Sequence, residues 1–93
     1  MGSDSPQVQE LKKRYRASFP EKLTVIQNIR MSLEVDNDTT LARDELHKLA
    51  GSSGMYGYQE IASNCREAMT HIDNDSMDGL MISLDQVIQL LSD

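Results

Sequence analysis

Leu80-Met81-Ile82-Ser83-Leu84-Asp85-Gln86-Val87-Ile88-Gln89-Leu90-Leu91 repeats apolar side chains at positions 80, 84, 87, 88 and 91. Steps of three and four return to one face of an α-helix, whereas a strand would scatter them over both faces. The stretch therefore reads as an amphipathic helix, with Asp75 or Ser76 as its cap. The same period runs back along the chain. Ile61, Ala62, Cys65, Ala68, Met69 and Ile72 form the inward stripe of a helix that ends at Asp73-Asn74-Asp75. Before it, a helix from Thr39 or Thr40 to Ser53 or Gly54 carries Ala42, Leu46, Leu49, Ala50 and Ser53 on one side. Gly54 and Gly57, around Met55-Tyr56, mark a tight connection between the two. Leu23, Ile26, Ile29 and Leu33 belong to a helix that opens at Ser18-Phe19-Pro20-Glu21 and stops before Asp36-Asn37-Asp38. Its opening has the pattern of a capping box with proline in the first turn. Val8, Leu11, Tyr15 and Phe19 mark a short first helix.

Strand-like alternation is missing, and turns of a few residues join four helices of similar length, which makes consecutive helices antiparallel neighbours. The expected fold is all-α: an up-down-up-down antiparallel four-helix bundle, with a short additional N-terminal helix across one end. The 93 residues suit a single domain, 1–93, with no room for separate catalytic and substrate domains. Met1-Gly2-Ser3 is compatible with a cloning remnant, in which case the natural protein is longer, and residues 1–5 are expected to be disordered or cloning-derived.

Nine Lys and Arg against fifteen Asp and Glu give a net charge of -6. Nucleic acid is thereby a poor partner, because backbone binding needs positive charge to displace counterions. No apolar run approaches the roughly 20 residues needed to span a bilayer, and no signal peptide follows Met1, so a cytoplasmic domain is expected. The single cysteine, Cys65, forms no internal disulfide, and with His47 and His71 it builds no zinc spacing. Cys65 lies on an inward stripe and reads as a small buried hydrophobe, and the six methionines read as core filler.

Asp44-Glu45-Leu46-His47-Lys48-Leu49-Ala50-Gly51-Ser52-Ser53-Gly54 departs from ordinary packing. A glycine inside a helix costs about 1 kcal/mol relative to alanine, so Gly51 needs a compensating reason. With Leu46 at zero and about 100° per residue, Ala42, Leu49, Ala50 and Ser53 fall within roughly 60° of it. His47 falls near 100°, Gly54 near 80° and Gly51 near 140°, so the imidazole stands on the flank beside bare backbone on the next turns. A macromolecule has access to it there. Neutral imidazole is a good nucleophile, and its phosphorylated form readily passes the group on. Phosphoryl transfer depends mainly on positioning and charge stabilisation, so a module with the nucleophile alone can take the remaining machinery from a partner. No P-loop, no Gly-rich nucleotide loop and no paired acid cluster with an obvious metal geometry is present.

These residues resemble the histidine-containing phosphotransfer (HPt) domains of multistep two-component phosphorelays. The family's pattern falls on His47, Leu49, Gly51, Ser52, Ser53 and Gly57, with Ile61-Ala62 and Cys65 matching its next helix. The resemblance implies a phosphoryl shuttle between receiver-domain aspartates, with His47 as phosphoacceptor and no kinase activity. It implies no cofactor of its own, Mg²⁺ coming with the receiver, and no metal site; the expected state is a monomer. The family's usual basic residue at i+3 is Ala50 here. Arg43, about 40° from His47 on the wheel, and Lys48 are the cations expected to support the phosphoryl group beside Gly51.

Two other functions compete. One is the dimerisation and phosphoacceptor region of a sensor kinase, disfavoured because Lys48 rather than an acid follows the histidine. The other is a helical interaction module without phosphotransfer, in which Gly51 serves helix packing alone. His71 lacks small neighbours and reads as a surface residue at a helix C-terminus. Met55 and Tyr56 suit equally the bundle end or an exposed docking surface.

Overall fold

The structure, a computed structural model, describes residues 5–93. The expectations for Met1-Gly2-Ser3 and residue 4 lie outside the described residues. Five helices follow one another: α1 (Pro6–Ala17), α2 (Phe19–Val35), α3 (Thr40–Met55), α4 (Gln59–Asp73) and α5 (Met77–Ser92). No strand occurs among the described residues. Ser5, grouped above with the terminus, caps α1: its side chain accepts the Val8 N–H at 3.2 Å.

The apolar periods become the core. Ile26, Ile29 and Leu33 of α2 meet Leu46 and Leu49 of α3, Ile61, Cys65 and Ala68 of α4, and Leu80, Leu84, Val87 and Leu91 of α5. Packing runs α2 to α3, α3 to α4, α4 to α5 and α5 back to α2, so the four long helices close a ring around these side chains. Across α2 and α5 the ring is clasped on its surface by Arg30, whose Nε donates to Asp85 Oδ1 at 2.6 Å while Nη1 reaches Glu34.

Two helix ends rely on left-handed backbone. After α3, Gly57 takes φ 85°, and the Tyr58 and Gly57 amides return to the carbonyls of Ser53 and Gly54. After α4, Asp75 takes φ 56°, with Ser76 and Asp75 amides on the carbonyls of His71 and Ile72. Both are Schellman closures, which satisfy last-turn carbonyls and fix the direction in which the next helix starts. Glycine suits the first; aspartate tolerates the second at some cost.

Three local expectations are corrected. Ser18 precedes α2 without a side-chain cap bond; its hydroxyl instead donates back to the Tyr15 carbonyl and accepts from Lys22 Nζ at 2.8 Å. No capping box forms, because α1 runs almost directly into α2 and draws the serine backward. On α1, Val8 and Leu11 are exposed and Tyr15 alone is buried, since only the C-terminal half of α1 reaches the bundle end. Of the methionines expected as core filler, Met31 and Met55 are exposed, Met69, Met77 and Met81 are half-buried and pack against the margin of the core, and Met1 lies outside the described residues.

Candidate functional site

Helix α3 carries the site, and its rotation is set by what it buries. Ala42, Leu46, Leu49, Ala50 and Ser53 all face the core, which turns the next position, His47, out onto the flank. The entry to α3 is fixed by two short turns, with Asp36 Oδ1 accepting the Asp38 amide and Asp38 Oδ1 the Thr40 amide at 3.0 Å. The Thr40 amide keeps the Asp38 carboxyl below its ordinary pKa, because the bond favours the charged acceptor. At the other end Tyr15 reaches in from α1. Its hydroxyl lies 2.7 Å from Ser52 Oγ and 2.9 Å from Ser53 Oγ, while its ring stacks on Tyr56 at 4.8 Å. Ser52 and Ser53 thus tie α3 to α1 as well as keeping it slim.

His47 is exposed and has no side-chain hydrogen bond or ion pair among the described residues. It stands in an open hollow lined by Asp38, Thr40, Leu41, Arg43, Asp44 and His47 itself. One turn on, Gly51 is exposed, and a Cβ built there would meet nothing within 4 Å. Helix packing therefore does not explain this glycine, which removes the packing account of it. Gly54 is closer to α4, with Ala62 Cβ 3.9 Å from its hypothetical Cβ.

The two cations expected to support the histidine are separated. Arg43 lines the hollow with His47 but spans to α4, where Nε and Nη2 donate to the two carboxylate oxygens of Asp73 at 3.1 and 3.2 Å. These bonds raise the Arg43 pKa and lower that of Asp73. Lys48 does not line the hollow; its Nζ lies 3.5 Å from both Asp44 and Glu45, on the side of α3 facing α2. Attraction to Glu45 and then Asp44 raises its pKa. Both basic residues of α3 are thus held by acids.

Three features were not singled out from the sequence. Leu41, 62% exposed, joins the hollow to an apolar groove between α2 and α3 that Val25, Ile29, Leu33 and Ala42 also line. Asp73 engages Arg43 across 30 positions, and Tyr15 anchors the far end of α3. Only an exposed leucine beside the site residues offered any sequence signal; the other two need the tertiary fold. His71 is corrected: it is half-buried, its ring lying where a Cβ on Gly79 of α5 would stand. The missing side chain at Gly79 makes the slot for its ring. Met55 is exposed and Tyr56 is packed on Tyr15, so the pair divides between surface and bundle end. Cys65 is buried, and burial pushes its thiol up to about 12. Among the described residues no group of three or more His, Cys, Asp or Glu is placed to hold a metal ion, and no helix is long and apolar enough to cross a membrane.

Compared with known proteins, residues 10–93 match the family model described as Hpt domain. No curated protein and no solved structure matches the chain.

Proposed function

Because the chain belongs to the Hpt domain family, whose members carry phosphoryl groups on histidine in two-component signalling, we propose that His47 takes a phosphoryl group from one receiver aspartate and yields it to another. An unprotonated ring nitrogen of His47 attacks phosphorus as the P–O bond to the receiver carboxylate breaks, and that carboxylate leaves with the electron pair. The return step is the same exchange run toward a second receiver. In this reading the divalent cation and the acidic residues around it belong to the receiver, and α3 contributes the nucleophile and its approach. The protein then has no kinase activity of its own and works as a monomer in the cytoplasm.

The observation that carries the proposal is an exposed His47 followed, one turn on, by a glycine with open space above it. Leu41, exposed, gives a docking receiver apolar contact in the hollow that holds His47, and Asp38 and Asp44 give it a polar rim. A relay requires a transient complex, for which a limited apolar contact within a polar rim is suited. The four long helices are read as up-down-up-down, which the short connections support. Asn37 and Thr39, after α2, and Asp75 and Ser76, after α4, line one shared hollow, as that topology requires. Incubation with a radiolabelled phosphorylated receiver tests the relay. Label is expected to move to this chain and to leave it when an excess of a second, unphosphorylated receiver is added; label that never leaves the donor would refute it.

A further inference from the structure

Phosphorylating His47 adds negative charge to a hollow whose lining already includes Asp38 and Asp44. Arg43 is the cation of that lining, and it arrives engaged. Two of its five N–H donors are spent on Asp73, in the parallel two-bond geometry that aligns a guanidinium with a carboxylate. Lys48, the other base of α3, is drawn to Asp44 and Glu45 on its own helix. A phosphoryl group on His47 must therefore compete with a carboxylate for the charge that would stabilise it.

Resting on the phosphoacceptor role of His47, we propose that Asp73, at the end of α4, acts as a positioning residue that keeps Arg43 occupied and so holds the phosphohistidine at high transfer potential. The bond between phosphorus and the ring nitrogen is then readily given up to the next acceptor. Several features suit this role. The Arg43 and Asp73 side chains are 50% and 55% exposed, so the pair is solvent-screened and exchangeable rather than a fixture of the core. It links α3 to α4, placing its control of the site on a different helix from the nucleophile. Removing the charge of Asp73 should not harm the fold, because a carboxylate at a helix C-terminus faces the negative end of the helix dipole.

The test uses phosphoramidate as the donor, which needs no cognate receiver. The N–P bond to ammonia breaks, ammonia leaves with the electron pair, and the His47 ring nitrogen forms the new N–P bond. In ammonium buffer the exchange is reversible, and ³¹P NMR reads the equilibrium fraction of phosphohistidine. Asp73→Asn is expected to raise the equilibrium constant toward phosphohistidine roughly two- to five-fold, the range of one exposed ion pair. Arg43→Gln should lower it, and in the Arg43→Gln background Asp73→Asn should change nothing beyond error. A gain that persists without Arg43 would mean simple repulsion by Asp73 and would overturn the proposal, as would an unchanged constant in Asp73→Asn. If the wild-type chain takes up no phosphoryl group that His47→Gln abolishes, the phosphoacceptor role fails first and this inference falls with it. Unaltered helical circular dichroism in each variant separates these outcomes from misfolding.

Discussion

At Gly51 stability and function are expected to part company. An added side chain enters open space, and glycine is worse than glutamine in an exposed helix interior by several tenths of a kcal/mol to about 1 kcal/mol. Gly51→Gln should therefore unfold at higher urea concentration while accepting phosphoryl from a receiver more slowly; a variant both more stable and equally fast would show that bare backbone has no part in docking. Cys65 supplies a pH prediction. Its folded-state pKa is raised from 9.0 to about 12, so above the lower value the unfolded chain loses its proton first and stability falls as pH rises. The slope is at most about 1.4 kcal/mol per pH unit, and below the unfolded pKa both states hold the proton and no slope arises. Against Cys65→Ala, the wild-type advantage in urea unfolding should shrink by about 1.4 kcal/mol between about pH 8 and about pH 10; a constant gap would contradict burial of the thiol. His47, Gly51 and Cys65 were legible in the sequence because each is placed by its angle from a helix's buried stripe. Arg43 was legible only by half: its place beside His47 follows from the four-residue step, but its engagement with Asp73 joins two helices and no local period reports it.

Among the elements, α1 shows how far periodicity carries. Its apolar spacing continues through Val8 and Leu11, yet the helix is long enough to pass the bundle end, and only its last turns find a partner there. Tyr15 is the contact that matters, with a hydroxyl on Ser52 and Ser53 and a ring among Phe19, Tyr56 and Tyr58. Tyr15→Phe keeps the ring stack and removes the hydroxyl, leaving the buried Ser53 oxygen without this partner. Each lost bond is worth about 0.5–1.5 kcal/mol, so a loss of about 1–2 kcal/mol is expected in chemical denaturation. No loss would mean that the serines find other partners and that α1 does not secure α3. The capping-box pattern at Ser18 failed for a comparable reason. A serine flanked by helix on both sides has two backbones to serve, and the preceding one took its hydroxyl.

For the whole molecule, the apolar period alone gave five helices and a shared core, because each helix has one buried face and the turns between them are short. What the period leaves open is how evenly the ring closes. The grooves between α2 and α3 remain open to solvent, and Leu41 lines both one of them and the hollow that holds His47, a property of the assembled ring and of no single helix. The fold thus brings one nucleophile, an uncovered approach and one exposed leucine into the same hollow. The most direct measurement is to phosphorylate the chain from a labelled receiver and map the label. It should be acid-labile, alkali-stable and confined to the peptide bearing His47, and His47→Gln should take up none while keeping its helical circular dichroism. Label that survives in that variant, or that maps to His71, would contradict the account.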